Sequence, residues 1–387
     1  MLAPLVAVHQ DRGGRGHAAV GHNIPVFRAL ATGEHAIAAF AAHPKIPYTD
    51  RMKVFRGLQH ANLARACALT IGNFDGVHRG HQAMLALLRA EAAQRGVVSC
   101  VLTFEPHPRD YFAAATGQPE RAPARIASVR DKLLDLAHCG VDQTVVMPFN
   151  AALAAQTPQD FIQSVLVQGL RARYVLVGDD FRFGTRRAGD YAMLDATGVT
   201  HGFDVARMNS YEVHGLRVSS SAVRDALADG RMADAERLLG HPYRISGHVV
   251  HGRKLGRELG FPTLNLRFAH WKPAAGGIFV VLVHGLGEAP QPGVANLGIR
   301  PSIDPNDVNG GRVLLETHCL DWPSAWDHDH GYGKLIRVEL LHKLHDELRY
   351  DSLESLERGI ARDRDAARAY FASNHAQTHR QTTRDRI

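Results

Sequence analysis

The chain has 387 residues, 45% of them hydrophobic and 22% charged, with a formal net charge of +6. These ordinary proportions exclude a wholly disordered chain and suit two or three domains of about 100–200 residues each. No run approaches the ~18 apolar residues of a membrane-spanning helix, and the apolar start Met1–Val8 lacks the basic leader of a signal peptide. The four cysteines are scattered without a Cys-x-x-Cys pair, which favours a cytoplasmic protein and argues against a disulfide framework or a zinc site.

The positive charge is spread along the chain rather than gathered in basic blocks. A mildly basic chain suits nucleic acid, an anionic membrane or phosphorylated small molecules. Because the charge is dispersed and no membrane segment is present, we expect phosphorylated small molecules as partners, with no nucleic acid and no membrane. The sequence leaves the oligomeric state open.

Residues 1–51 are rich in Ala, His and Gly and show no alternation of strand and helix patterns. We expect them to form a poorly ordered extension. The run that begins at Met52 reads as a fresh beginning of the chain, although sequence alone leaves the role of the extension open.

From Cys67 onward, short apolar strands alternate with segments of helical periodicity, which predicts a parallel sheet with helices on both faces. The predicted strands are Cys67–Gly72, Val97–Phe104, Gln143–Met147 and Tyr174–Gly178. The predicted helices are Gln82–Gln94, Ser128–His138, one that begins after a Thr157 cap, Ser221–Leu227, and Met232–Leu239 with Gly240 as its stop.

After His241 the pattern changes to short strand-like runs separated by Gly, Pro, Asn and Asp, which is typical of an all-β barrel. The predicted strands are Tyr243–Val250, Thr263–Leu266, Gly277–Val283, Arg312–Leu320 and Lys334–Leu341. A helix follows over Asp351–Phe371, with Leu353, Leu356, Ile360 and Ala367 on one face. The predicted domains are therefore an extension (1–51), an α/β domain (52–240), a barrel domain (241–372) and a polar, frayed tail (373–387).

The first group of chemical residues lies where the first strand ends and a helix begins, in the run Gly72-Asn-Phe-Asp-Gly-Val-His78-Arg-Gly-His81. Ligands of open α/β sheets bind beyond the carboxyl ends of the strands, and a helix N-terminus attracts phosphate. His78 and His81 share a helix face and can donate hydrogen bonds to phosphate oxygens. The run lacks the Gly-x-x-x-x-Gly-Lys pattern of a P-loop. Its predicted phosphate contacts are Gly72, Asn73, Phe74, Asp75 and Gly80.

His-x-Gly-His in this setting resembles the nucleotidyltransferase superfamily. With the runs Thr103–Pro108, Gly178–Gly184 and Arg217–Arg224, it resembles the bacterial bifunctional riboflavin kinase/FMN adenylyltransferase (FAD synthetase) family. The resemblance implies that His78, His81 and Arg217 are catalytic and that Ser219, Ser220 and Arg224 bind ATP. A Ser run before a helix also suits an N-cap. The flavin candidates are Asp179, Asp180, Phe181 and Phe183, for which a solvated turn and core packing are the alternatives.

A second group of chemical residues begins the barrel, in the run Gly252-Arg-Lys-Leu-Gly-Arg-Glu-Leu-Gly260-Phe-Pro-Thr263-Leu-Asn265. Interleaved glycines and cations suit a phosphate chain, so Gly252, Arg253, Lys254 and Gly260 are predicted phosphate contacts. Thr263 and Asn265 alternate on a strand, where a hydroxyl and an amide oxygen suit Mg²⁺ bound with nucleotide.

This run resembles the riboflavin kinase motif of the same family, with Leu264 in place of the usual Ala. The resemblance implies that Glu316, on a later strand, is the catalytic base. The loop Pro323–His330 departs from the family pattern by its greater length and by its His and Asp residues. A metal site at His328, Asp329 and His330 is an alternative to a solvated loop.

Together the motifs imply an α/β nucleotidyltransferase-like (Rossmann-like) domain followed by a riboflavin-kinase-like barrel with a C-terminal helix. The implied enzyme phosphorylates riboflavin with ATP and Mg²⁺ to give FMN, then adenylylates FMN with a second ATP to give FAD and pyrophosphate. Three alternatives stay open: one inactive module, a transferase for another phosphorylated acceptor, and a basic nucleic-acid-binding barrel.

Overall fold

The computed structural model describes residues 52–213, 216–251, 260–268, 270, 272–300, 312–324, 326–327 and 329–384. The predicted extension 1–51 lies outside the described residues, as do three predicted phosphate contacts, Gly252, Arg253 and Lys254. His328 of the alternative metal site also lies outside them.

The first domain is built on a six-stranded parallel sheet with the order β1-β4-β3-β2-β5-β6. Its strands are β1 (Lys53–Arg56), β2 (Cys67–Ile71), β3 (Val98–Glu105), β4 (Gln143–Pro148), β5 (Tyr174–Gly178) and β6 (Asp204–Met208). Every residue of β2 is buried, as expected for a strand covered by helices on both faces. The sheet edges β1 and β6 escaped prediction, because short and partly exposed edge strands lack a continuous apolar run.

Helices follow most strands of this sheet, and a two-stranded hairpin, β7 (Glu212–Val213) and β8 (Leu216–Arg217), precedes the last two. The helices are α1 (Arg79–Arg95), α2 (Pro108–Ala115), α3 (Val129–His138), α4 (Ala151–Ala155), α5 (Pro158–Phe161, continued as a π-helix over Ile162–Leu170), α6 (Tyr191–His201), α7 (Ser220–Ala228) and α8 (Met232–Leu239). Thr157 caps α5 and Gly240 ends α8 with φ +84°, as predicted. Helix α6 was missed because its Tyr, Thr, Gly and Val residues are weak helix formers.

The second domain is an antiparallel six-stranded barrel with the order β10-β13-β12-β11-β14-β9. Its strands are β9 (Tyr243–His248), β10 (Leu264–Arg267), β11 (Gly277–His284), β12 (Gln291–Arg300), β13 (Arg312–Cys319) and β14 (Leu335–His345). The bridge between Val250 and Asn265 joins the two ends of the sheet, so the predicted barrel is confirmed.

A long helix, α9 (Leu353–Arg384), packs against β11 and β12 of the barrel. It continues to Arg384, beyond the predicted end at Phe371. Ala367 is fully buried, whereas Leu353, the first residue of the helix, is 57% exposed.

The two domains share one hydrophobic core. Val223 and Leu239 of α7 and α8 belong to the same buried cluster as Ile245 and Leu340 of the barrel. Beside this cluster, Arg244 of β9 forms an ion pair with Asp135 of α3. Apolar burial and a mostly buried ion pair thus join the α/β domain to the barrel.

Candidate active sites

The turn between β2 and α1 has a backbone that requires glycine. Gly76 has φ +87°, and a Cβ atom there would lie 2.7 Å from Cγ2 of Ile126. A side chain at Gly80 would crowd the His78 ring, with 3.3 Å between its Cβ and Nδ1. His78 then caps α1, since its Nδ1 accepts the backbone N–H of His81 at 3.3 Å. The turn therefore brings the helix N-terminus and both histidines to the carboxyl end of β2.

His78 and His81 form a stacked pair, with ring centroids 3.7 Å apart and an interplanar angle of 13°. Burial lowers the pKa of His78 to about 4, and it also lowers the pKa of His81. Both rings are thus neutral at pH 7. Because His78 Nδ1 accepts a hydrogen bond, its proton is on Nε2 and can be donated. Nδ1 of His81 is buried and has no partner among the described residues.

Asp75 is 4% exposed and braces the turn from beneath. Its carboxylate accepts the backbone N–H groups of Ile126 at 3.2 Å and Ala127 at 3.1 Å, and it pairs with Arg224 at 2.6 Å. Arg224 also donates to the carbonyl of Ala124 at 2.6 Å. These partners occupy both side chains, so their predicted contact with ATP stays a prediction, while their bracing of the turn is visible.

The segment before α7 approaches the same turn. Ser219 caps α7 by accepting the N–H of Ala222 at 3.2 Å, so the capping alternative is confirmed for this residue. Ser220 Oγ donates to the carbonyl of Asp75 at 3.0 Å. Arg217 is 58% exposed and pairs with Asp179 at 3.4 Å. Of the two predicted arginine ligands that the structure describes, Arg217 is far more open to solvent than Arg224, whose side chain is 15% exposed.

The flavin candidates divide into exposed and buried residues. Asp179 and Asp180 are exposed. Phe183 is 7% exposed and packs on Phe161 with ring centroids 5.7 Å apart, which confirms core packing for this ring. Phe181 is half-buried and stacks on Phe183 at 5.5 Å. Phe74, a predicted phosphate contact, is only 1% exposed, and its ring centroid lies 4.8 Å from that of His81; its contact with phosphate stays a prediction.

Lys132 is a residue of this site that sequence reasoning missed. It is 3% exposed, and its Nζ lies 3.4 Å from the carbonyl of Asn73 and 3.3 Å from Thr103 Oγ1. Burial lowers its pKa to about 8, and Glu105 at 3.8 Å opposes that effect. The sequence did contain one signal. A lysine near the N-terminus of α3 interacts unfavourably with the helix dipole, which suggests a role other than stabilising the helix.

The barrel contains a cavity of about 260 Å³ under α9. Its apolar lining is Phe261, Ile278, Val294, Ala295, Leu348, Leu356 and Ile360. Its polar lining is Thr263, Asn296, Glu316, His318, His345, Glu347, Tyr350 and Asp363. A cavity that combines apolar walls with convergent polar groups is typical of a small-molecule site.

Glu316 lies at the centre of this polar lining. In the barrel register it is opposite Asn265 on one side and Asn296 on the other. Directly opposed residues have Cβ atoms about 4.5–5.5 Å apart, so the carboxylate and both amides are neighbours. Asn265 is 3% exposed and its Oδ1 has no partner among the described residues, which suits a cation ligand. Leu264, between Thr263 and Asn265, packs into the barrel core.

The approach to Thr263 begins with a turn at Gly260, which has φ +81° and no described atom within 4 Å of a Cβ placed there. Its backbone conformation favours glycine. Its predicted phosphate contact stays a prediction, because the rest of the glycine- and cation-rich run, 252–259, lies outside the described residues.

The lengthened loop after Trp322 is packed where it is described. Trp326 stacks on His330 with ring centroids 4.2 Å apart. His330 Nε2 lies 2.7 Å from Lys334 Nζ, which donates to the carbonyl of Leu286 at 3.2 Å. His330 is half-buried by these contacts, whereas Asp327 and Asp329 are exposed. Within the described part of the chain, no group of three or more His, Cys, Asp or Glu would suit a metal ion. Across the described residues, no helix is long and apolar enough to cross a membrane.

Comparison with known proteins gives the same division into two modules. The FAD synthetase family model matches residues 60–222, and the riboflavin kinase family model matches residues 239–371. A bifunctional riboflavin kinase/FMN adenylyltransferase of Escherichia coli (strain K12) is 46% identical over 322 residues, covering 83% of this chain and 98% of that protein. The chain belongs to this bifunctional family.

Other relatives support this assignment. Proteins with the same name from Pseudomonas fluorescens and Haemophilus influenzae are 43% and 41% identical; each comparison covers 83% of this chain, with 98% and 100% of the relative covered. A solved structure described as a macrolide-efflux protein from Streptococcus pneumoniae has a TM-score of 0.64 at 24% identity. The comparison covers 82% of this chain and 98% of that protein, and it supports the fold only. The chain is a riboflavin kinase and FMN adenylyltransferase, which makes FMN from riboflavin and FAD from FMN.

Proposed function

We propose that the two reactions of this flavin-synthesising enzyme take place at the two sites described above. The barrel cavity hosts transfer of the γ-phosphate of ATP to riboflavin. The turn at the start of α1 hosts transfer of AMP from a second ATP to FMN, with release of pyrophosphate. The observation that carries this division is the separation of the two groups. Glu316 lines a cavity in the barrel, whereas the His78–His81 pair lies beyond the carboxyl end of β2 in the parallel sheet.

In the kinase site, Glu316 accepts the proton of the ribityl 5′-hydroxyl while that oxygen attacks the γ-phosphorus and ADP leaves. Thr263 and Asn265 would hold Mg²⁺ with the nucleotide, a role supported by Asn265 Oδ1, which has no partner among the described residues. Mg²⁺ neutralises the phosphate charge in such reactions. Gly252, Arg253, Lys254 and Gly260 form the phosphate loop.

In the transferase site, an oxygen of the FMN phosphate attacks the α-phosphorus of ATP, and the bond to pyrophosphate breaks. His78 and His81 donate neutral N–H groups to the phosphate oxygens, and Arg217 supplies positive charge. The backbone of the Gly72–Asp75 turn and the start of α1 cradle the phosphates. Asp75, Ser220 and Arg224 hold that turn in place.

The exposed flavin candidates Asp179 and Asp180, with Phe181, mark the FMN side of this site. We also propose that residues 52–240 and 241–372 are the functional domains, and that the partners are riboflavin, FMN and ATP rather than nucleic acid. The enzyme is proposed to work in the cytoplasm, where the four cysteines, all free thiols, are stable.

Two variants separate the sites. Glu316→Gln removes the base and should lower FMN formation from riboflavin by about 10²–10⁴-fold, while FAD formation from FMN persists. His81→Ala removes a hydrogen-bond donor and should lower FAD formation by about 10²–10³-fold, while FMN formation persists. Chromatographic separation of the flavins measures both rates. Each variant serves as the control for the other, and a variant that lowers both rates equally, or neither, would contradict the assignment.

A further inference from the structure

A short segment of the barrel, residues 272–274 between β10 and β11, pairs with the backbone of the α/β domain. Arg125 donates its backbone N–H to the carbonyl of Lys272 at 2.9 Å, and Ala274 donates its N–H to the carbonyl of Arg125 at 3.0 Å. Arg125 and Pro273 thereby form a parallel bridge. Backbone hydrogen bonds therefore fix which residues of the two domains lie opposite each other.

The side chain of Lys272 extends this contact. Its Nζ donates to the carbonyl of Glu120 at 3.0 Å and to that of Ala122 at 3.1 Å. Beside it, His270 of the barrel lies 3.2 Å from Asp110 of α2. A barrel lysine thus holds the start of a segment, residues 120–127, whose only helical residues are the last two of the short 3-10 helix Pro119–Arg121.

The far end of segment 120–127 holds the phosphate turn of the transferase site. Ile126 and Ala127 donate their backbone N–H groups to the Asp75 carboxylate. The Ile126 side chain fills the space left by the missing Cβ of Gly76, since Cγ2 is 2.7 Å from the position of that atom. Segment 120–127 therefore contacts the barrel through Glu120, Ala122 and Arg125, and it contacts the turn between β2 and α1 through its last two residues.

We propose that Lys272, a residue of the kinase barrel, is a positioning residue for adenylyl transfer. By fixing segment 120–127, it holds the backbone of Asp75 and Gly76 in position. Through these two residues it positions the start of α1 with His78. The proposal rests on the function proposed above for this turn. On this proposal, a residue of the kinase domain contributes to the reaction of the other domain, adenylyl transfer.

The test uses the full-length chain with Lys272→Met, which keeps the alkyl stem and removes the donors. Loss of the two hydrogen bonds from Lys272 to segment 120–127 should lower kcat/KM for FAD formation from FMN by about five- to tenfold. FMN formation from riboflavin, measured on the same preparation, should not change. Lys272→Arg, which still donates to carbonyls, should restore most of the loss.

Arg368→Met is the matched control. Arg368 also donates to a backbone carbonyl, that of Leu320 at 3.1 Å, but within the barrel and its helix. It should leave the ratio of the two activities unchanged. The proposal is overturned if Lys272→Met leaves FAD formation intact, if both activities fall together, or if Lys272→Arg is no better than Lys272→Met. Failure of the unaltered chain to form FAD from FMN would instead overturn the proposed function, and this inference with it.

Discussion

Burial decides what His78 and His81 can contribute to catalysis. The pKa of His78 is lowered to about 4 because its ring is desolvated, so the ring is neutral throughout the physiological range. A neutral imidazole donates one hydrogen bond and brings no full charge to the site. In the proposed transferase site, the positive charge that stabilises the transferring phosphate comes from other groups, and we expect Arg217, the start of α1 and the buried Lys132 to supply it.

Lys132→Met tests that role of buried charge. Its ammonium lies beneath the carbonyl of Asn73, so its removal should lower FAD formation by about tenfold, the effect of losing one charge-assisted hydrogen bond. Because burial lowers the Lys132 pKa to about 8, its charge is present below pH 8 and is lost above it. FAD formation by the unaltered chain should therefore decline as the pH rises through about 8.

The same pH series on Lys132→Met provides the decisive comparison, since its profile should lack that decline. Lys53→Met, at an exposed lysine of β1, is the control and should behave like the unaltered chain. An unchanged profile in Lys132→Met would mean that the charge beneath the turn plays no part in catalysis.

The turn between β2 and α1 shows how far local sequence carries prediction. A strand, a glycine-rich run and a helix start are adjacent in the chain, so their juxtaposition and the place of both histidines were predictable. Lys132 and Ile126 reach the turn from more than 45 residues away along the chain, and no local pattern encodes such a contact. The core position of Phe183 likewise depends on packing against Phe161, which a turn motif does not reveal.

Gly76→Ala tests the geometry of this turn. Alanine at this position would have to adopt φ +87°, and its Cβ would collide with Ile126. We therefore expect a loss of about 2–4 kcal/mol in unfolding free energy. Gly96, at the end of α1, also has a positive φ, +64°, but no described atom lies within 4 Å of a Cβ placed there. Gly96→Ala should therefore lower the unfolding free energy by only about 1 kcal/mol. Urea denaturation measures both values, and equal losses would show that Ile126 does not pack against the turn.

Helix α9 was predicted as an element, but its role in the cavity was not. Periodicity placed Leu356 and Ile360 on one face, yet it does not say whether that face meets strands or encloses a space. The structure shows that both side chains line the cavity that holds Glu316. The helix is thus part of the kinase site as well as a cover for the barrel.

Ile360→Ala tests this role. Loss of its apolar surface should raise the KM for riboflavin by about fivefold, with FAD formation from FMN unchanged. Leu353→Ala, at the 57% exposed start of the same helix, is the matched control and should leave both activities unchanged. Steady-state kinetics with riboflavin checks the result, and equal KM values for the two variants would remove α9 from the site.

At the scale of the whole molecule, two catalytic modules are joined by a shared core and by the segment 272–274. Each module follows from its own hydrophobic pattern, alternating strands and helices in one and short strands in the other. The contact between them does not, because residues such as Arg125 and Lys272 form no recognisable motif. The division of labour was therefore predictable from sequence, whereas the dependence of one module on the other required the three-dimensional structure.

The central claim, that one chain carries both activities at separate sites, is tested most directly by a product assay. The purified full-length chain is given ATP and Mg²⁺ with riboflavin in one reaction and with FMN in another, and the flavins are separated by chromatography. The account predicts FMN and then FAD from riboflavin, and FAD from FMN. Formation of FAD from FMN without any FMN from riboflavin would contradict the kinase assignment of the Glu316 cavity, and no product in either reaction would contradict both.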